Sequence, residues 1–271
     1  MKACCHCEVA ERLAVAIQLV VIFCLLFFPA FAFANCRVSE RIVSLAPDIT
    51  ESLFAVGAGK QVVGVMQGSD YPPAAQKIPV VAAFDHIDTE RLLKMQPDLI
   101  VAWAVGRLPH ALRRLKIPVY FVHPEKLQDI PHTLRQLGCL SGHQKKADAA
   151  ALIFESGIAA LKKSHQGVRK IRVFYEVWSH PLMTITRASW INDVIELCGG
   201  ENVFAGLSGV APVVDREAVL SAHPEVVATT ATQAVWSPKG IPVIRLEADM
   251  IDRAGPRLLL AARALCRELQ P

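Results

Sequence analysis

The sequence has no large excess of charge of either sign. Twenty-nine Lys and Arg stand against 25 Asp and Glu, for a net charge of +4. These residues are not clustered, which argues against a nucleic-acid binder. Aromatics are scarce at 7%, with three tyrosines and four tryptophans, so the place of each carries information. No G-x-G-x-x-G, G-x-S-x-G or P-loop pattern occurs. The dinucleotide, hydrolase and nucleoside-triphosphate signatures are therefore missing, and an enzyme is the weaker reading. The nine histidines form no H-x-x-x-H or H-E-x-x-H pair. A metal receptor needs convergent ligands, and His86, His110 and His180 read instead as lone side chains. What is abundant is apolar: 52% of 271 residues. That is enough for one large domain or two lobes, and it excludes a disordered chain.

Much of the apolar excess sits at one end. Residues 13–34 carry no charge, Arg12 precedes them, and the run ends in Ala32-Phe33-Ala34. This small-x-small ending predicts a secretory signal peptide over residues 1–34, cut near Ala34. The run is also long enough to span a bilayer, so an uncleaved anchor is the competing reading. Pro29 and the A-x-A ending fit cleavage better. Lipid anchoring fits poorly, because Asn35 stands before Cys36 where that processing needs a small residue. Of eight cysteines, cleavage leaves Cys36, Cys139, Cys198 and Cys266 in an oxidising compartment. None of their spacings is C-x₂₋₄-C, so disulfide pairing is a better reading than zinc.

The remainder reads as an α/β fold of two Rossmann-like lobes, each with a parallel sheet, joined by one long α-helix. An N-terminal lobe is expected over 35–142. Its strands are predicted at 41–46, 61–66, 99–103 and 117–122, and its helices at 48–57, 89–96, 108–115 and 126–138. Leu99–Trp103 (LIVAW) has the continuous apolar character of a buried parallel strand. Alternation of strands and helices implies the α/β class. Residues 143–165 lack proline and carry apolar residues at three- and four-residue spacing. They predict a helix of about 20 residues, roughly 30 Å long, despite Gly157. It forms a stiff spine within a linking segment at 143–168. A C-terminal lobe is expected over 169–271.

The second half repeats the first. Asp88-Thr-Glu90-Arg-Leu-Leu93, followed by Pro97-Asp98, matches Asp215-Arg-Glu217-Ala-Val-Leu220, followed by Pro224-Glu225, at a constant offset of 127 residues. Ile117-Pro118-Val119 matches Ile241-Pro242-Val243. Arg41 and Gly57 find looser echoes in Arg172 and Gly199. Such a repeat implies two similar lobes related by a pseudo-twofold axis.

Two α/β lobes on a stiff helix create a cleft, and ligands of open α/β sheets bind beyond the carboxyl ends of the strands. Tyr71, Phe84, Trp103 and Trp178 follow strands, as do Asp249, Met250, Ile251, Asp252 and Arg253. Such a lining suits a large, flat, partly apolar ligand oriented by a few polar groups. The bland alternative is that the aromatics belong to the lobe cores. It applies least to Tyr71, in a proline-stiffened loop beside Asp70.

The stretches RIVSLAPDITESLFAVG, DYPPAAQKIPVV, TERLLKMQPDLIVAW, ELCGGENVFA, VDREAVLSAHPEVV and DRAGPRLLLAA resemble the periplasmic vitamin B12-binding proteins. These belong to the helical-backbone class of substrate-binding proteins that feed ABC importers. The resemblance runs from about Arg41 to the C-terminus. It implies that Tyr71 contacts a corrinoid, that Asp249 to Arg253 line the other side, and that Trp103 is an aromatic wall. Phe84 stands where the family often has tryptophan, and Ala211 and Met250 likewise replace tryptophans of some members. Trp178 and His180 resemble a variant lining. The resemblance further implies a Cys198–Cys266 disulfide, and leaves Cys36 and Cys139 to pair or stay free. The expected ligand is cobalamin or a related corrinoid, as cargo rather than catalytic cofactor. The alternatives are haem or a ferric siderophore, carried by receptors of the same fold.

Glu90 and Glu217 occupy equivalent places in the repeat, in the first turns of their helices. A carboxylate there complements the helix dipole, which is the bland reading. The resemblance implies a second one: the pair docks on an inner-membrane ABC importer, a permease dimer with its ATPase dimer. The protein is then expected in the periplasm, as a carrier without chemistry of its own.

Overall fold

The computed structural model describes residues 37–104, 116–232 and 236–270. The signal peptide, Cys36, His110 and the helix expected at 108–115 lie outside them. In chain order the elements are β1 (Ile42–Ser44), α1 (Pro47–Ala55), β2 (Val62–Met66), β3 (Val80–Ala82), α2 (Thr89–Lys94), β4 (Leu99–Trp103), β5 (Val119–Val122), α3 (Asp129–Ser141) and α4 (Gln144–Ser164). They continue with β6 (Ile171–Glu176), β7 (Trp178–Ser179), β8 (Leu182–Met183), α5 (Trp190–Leu197), β9 (Gly200–Asn202), α6 (Arg216–Ser221), β10 (Val226–Thr229), β11 (Val243–Arg245), α7 (Ala248–Ile251) and α8 (Leu258–Leu269).

Two parallel sheets result. The first has the order β3-β2-β1-β4-β5 and the second β11-β10-β6-β9. In each, the direction of winding reverses beside the first strand of its lobe, between β1 and β4 and between β6 and β10. Such a switch point is where α/β sheets open a crevice at the strands' carboxyl ends. One core cluster runs through both lobes, from Ile42, Leu53 and Val101 to Val173, Val194 and Leu265. The opposite sheet faces carry their own apolar layers, around Leu92 and Ile100 and around Phe174 and Val227. The β7–β8 hairpin is antiparallel, an addition that the strand–helix alternation did not foretell.

The spine helix is α4, 21 residues long, close to its expected span. It buries Ala147, Ala151, Phe154 and Gly157, residues spaced to face one way and, Phe154 apart, small. Gly157 has a packing reason: a Cβ there would fall 2.5 Å from a Leu259 methyl. A glycine costs helix stability of about 1 kcal/mol, and here it lets α4 and α8 approach. Expected ends shift modestly. The helix predicted from 126 starts at Asp129 because that carboxylate accepts the backbone N–H groups of Glu125 and Lys126, at 3.0 and 2.8 Å, which holds the chain in a turn before the helix. The strand predicted from 117 starts after Pro118, which has no N–H to give a ladder.

The repeat extends to individual hydrogen bonds. Asp88 caps α2 by accepting the Arg91 N–H at 2.9 Å, and Asp215 caps α6 by accepting that of Ala218 at 2.6 Å. Beyond each helix one residue enters the left-handed region, Gln96 at φ 47° and His223 at φ 44°. Arg41 donates to the carbonyls of Met95 and Gln96, and Arg172 to those of Ala222 and His223. Asp98 then accepts the Arg41 N–H, and Glu225 accepts that of Arg172.

Candidate functional site

Two groups of side chains meet between the lobes. The first surrounds Glu51, on α1. Its carboxylate is almost fully buried and receives Arg253 Nη1 at 2.7 Å, Arg257 Nε at 2.9 Å and Arg257 Nη2 at 2.7 Å. Arg253 also donates to Asp70 at 2.8 Å and to Asp249 at 2.5 Å. The Arg253 guanidinium beside Asp70 holds that carboxyl below the usual carboxylate range. Arg257 places its guanidinium carbon 4.0 Å from the centre of the Tyr71 ring, well inside cation–π range. Tyr71 itself is 44% exposed, so its ring keeps an open side.

The second group lies at the two switch points. Trp103, at the end of β4, donates its indole N–H to both oxygens of Asp48 at 3.0 Å. Burial pushes the Asp48 carboxyl up to about 6, although the indole N–H pulls the other way. The Trp103 and Trp190 rings pack at 5.8 Å with a 52° tilt, and the Trp190 N–H donates to the Ile251 carbonyl at 3.0 Å. Tyr175, on β6, donates to Asp252 at 3.3 Å. Burial, then the Asp252 charge, pushes the Tyr175 hydroxyl well above its ordinary range, so it serves as a donor.

The structure thus brings Tyr71, Asp249 and Arg253 into one network and joins Trp103 to the 249–253 segment through Trp190. Phe84 is 99% exposed, which removes the core reading for it. Trp178 is also exposed and donates to the carbonyl of His180 within its own hairpin. Neither makes a ring contact with the other candidates among the described residues. Met250 packs partly buried against the core. The Ile251 side chain is fully buried in the core, because the short helix α7 turns that position inward. It offers a ligand only its backbone, and its carbonyl is already taken by Trp190. Asp48, Glu51, Trp190 and Arg257 are the residues that sequence reasoning missed. The available signal was a pair of acids, Asp48 and Glu51, in the first turns of the helix DITESLFAV, where the helix dipole accommodates acids in any case.

A groove of about 1120 Å³ lies beside the C-terminal part of α4, lined by Phe154, Ile158, Lys162, His165, Lys170 and Glu196 among others. None of the candidate cleft residues lines it. Cys198 and Cys266 form a disulfide linking the end of α5 to α8, and Cys139 is disulfide-bonded as well. Glu90 and Glu217 are both exposed on the first turns of α2 and α6. Glu90 pairs with Lys94 at 2.6 Å, whereas the repeat mate of Lys94 is Ser221.

A parallel-sheet lobe on each side, one spine helix and a polar-aromatic network between the lobes define a two-lobe solute receptor. The chain matches the family described as periplasmic binding protein over residues 42–239, and it belongs to that family. It is 37% identical over 243 residues to the vitamin B12-binding protein of Pectobacterium carotovorum, covering 85% of this chain and 88% of the relative. The vitamin B12-binding protein of Pectobacterium atrosepticum is 38% identical over 252 residues, with 87% and 90% covered. The crystal structure of the periplasmic vitamin B12-binding protein of Vibrio cholerae superposes with a TM-score of 0.77 at 33% identity, covering 86% of this chain and 97% of that one. Within the family the chain therefore groups with the vitamin B12-binding, helical-backbone substrate-binding proteins.

Proposed function

We propose that the protein captures vitamin B12 or a related corrinoid in the cleft between its lobes and delivers it to an inner-membrane ABC importer. The observation that carries this reading is the network in which Arg253 and Arg257 join Glu51, Asp70 and Asp249 beside the half-exposed ring of Tyr71. It combines one aromatic face with charged groups that hydrogen-bond the amide edges of a macrocycle. Trp103 and Arg253 frame the cleft floor and side, and Phe84 and Trp178 offer exposed apolar surface at its rim.

In this reading residues 1–34 are a signal peptide for the periplasm, 35–142 and 169–271 are the lobes, and 143–168 is the spine. Glu90 and Glu217 are the docking carboxylates. The core that runs through both lobes and the long α4 resist hinge bending, so closure amounts to a few degrees and release depends on the importer. A bound-versus-free comparison with a large hinge rotation would contradict this.

Titration calorimetry of the purified protein with cyanocobalamin, cobinamide, haem and a ferric siderophore tests the ligand. Binding of cyanocobalamin is expected, with visible corrinoid absorption retained through gel filtration. Binding of haem or the siderophore, with none of either corrinoid, would overturn the assignment.

A further inference from the structure

A buried carboxylate is tolerated only where its charge is matched and its oxygens are satisfied. Glu51 has a side chain 2% exposed and is met by two guanidinium groups. The planar fork of Arg257 holds it through Nε and Nη2, which fixes the plane of that guanidinium as a lysine could not. The same Nη2 donates to the Asp249 carbonyl at 3.0 Å. With both ends held, the guanidinium lies over one face of Tyr71 at 4.0 Å. Arg253, on the other oxygen-sharing arm, ties Asp70, the residue preceding Tyr71, to the same carboxylate. Glu51 and Tyr71 belong to the first lobe, and Arg253 and Arg257 precede α8 in the second. The brace therefore crosses between the lobes and ends on the ring.

We propose that Glu51 and Arg257 are positioning residues for Tyr71: Arg257, clamped by Glu51, covers one face of the ring and so presents the other to the ligand. The proposal rests on Tyr71 contacting the ligand, as the proposed function has it. Without the clamp the tyrosine samples rotamers that turn its face away, and binding pays the cost of ordering it.

The first test needs no ligand. The chain has three tyrosines, so ¹³C-labelled tyrosine gives a spectrum that a Tyr71→Phe variant assigns. Arg257→Met and Glu51→Gln are both expected to move the Tyr71 ring signals while those of Tyr120 and Tyr175 stay in place. Arg257→Lys, which keeps the cation without the fork, restores part of the shift. An unmoved Tyr71 signal in Arg257→Met overturns the proposal, and that arm stands even if Glu51→Gln fails to fold. The second test is a double-mutant cycle read by cyanocobalamin affinity. Arg257→Met weakens binding about tenfold with Tyr71 present and less than twofold in a Tyr71→Leu background. Equal losses in both backgrounds mean that Arg257 acts without Tyr71, and overturn the proposal. A wild-type protein that binds neither cyanocobalamin nor cobinamide refutes the proposed function instead, and the spectra then decide the positioning role alone.

Discussion

Trp103 and Asp48 are joined by one indole N–H that lies 3.0 Å from both carboxylate oxygens, at the point where the first sheet reverses its winding. The pair sets a pH dependence. Asp48 is 6% exposed, and burial raises its carboxyl from 3.8 to about 6. A carboxyl raised in the folded state binds protons more tightly there than in the unfolded chain. Its contribution to stability is thus fully present below about pH 4 and is lost as pH rises through 6. The loss is on the order of 3 kcal/mol by pH 7. Asp48→Asn keeps an acceptor for the indole and removes the titration. Denaturant unfolding at pH 5 and pH 7.5 should show the variant gaining on the wild type at the higher pH. An identical pH difference in both proteins would refute the assignment.

The left-handed residues Gln96 and His223 make a second prediction. Both end a helix at equivalent points of the repeat, and an L-residue there costs roughly 1–2 kcal/mol that glycine avoids. Gln96→Gly and His223→Gly should therefore leave stability unchanged or raise it by up to about 1 kcal/mol, against the usual penalty for glycine. A thermal melt showing a clear loss in either variant would mean that the side chain makes up for the strained backbone.

These equivalences were legible because a repeat is a pattern along the chain. Asp88 and Pro97 have visible counterparts in Asp215 and Pro224, and the helix caps and turns they form are local; Asp98 and Glu225 match as well, although the N–H groups they accept stand 57 and 53 residues upstream. The same holds for β4, whose five apolar residues have only one parallel-sheet reading. The network around Glu51 was not legible, because its partners stand 202 and 206 residues away. The inward turn of Ile251 was hidden for a related reason. The segment after β11 was read as one lining surface, but α7 is only four residues long, too short for its inward face to appear as a period.

The disulfide supplies a prediction about stability. Cys198 and Cys266 are buried and close a loop of 68 residues. In the chain-entropy account a crosslink of that length is worth about 4 kcal/mol, chiefly by restricting the unfolded chain. Replacing both with alanine should lower the unfolding free energy by about 2–4 kcal/mol and leave ligand affinity nearly unchanged, since neither sulfur lies among the cleft residues. A variant as stable as the wild type would show that the unfolded chain is already constrained there.

The proposed docking role of Glu90 and Glu217 separates from ligand capture in the same way. Both stand on exposed first turns, one per lobe, and half-exposed leucines, Leu93 and Leu220, follow one turn later. Exposed ion pairs add little affinity singly but set register and association rate. A symmetric membrane partner with paired cationic pockets would engage both. Glu90→Arg with Glu217→Arg should leave cyanocobalamin affinity within about twofold and abolish importer-dependent uptake into cells. The single variants should also differ. Glu90 is already paired with Lys94 at 2.6 Å, so its charge is less available, and Glu217→Arg should impair uptake at least as strongly as Glu90→Arg. Normal uptake by the double variant would refute the docking role. Equal loss of uptake and of ligand binding would place these glutamates in the stability of the lobes instead.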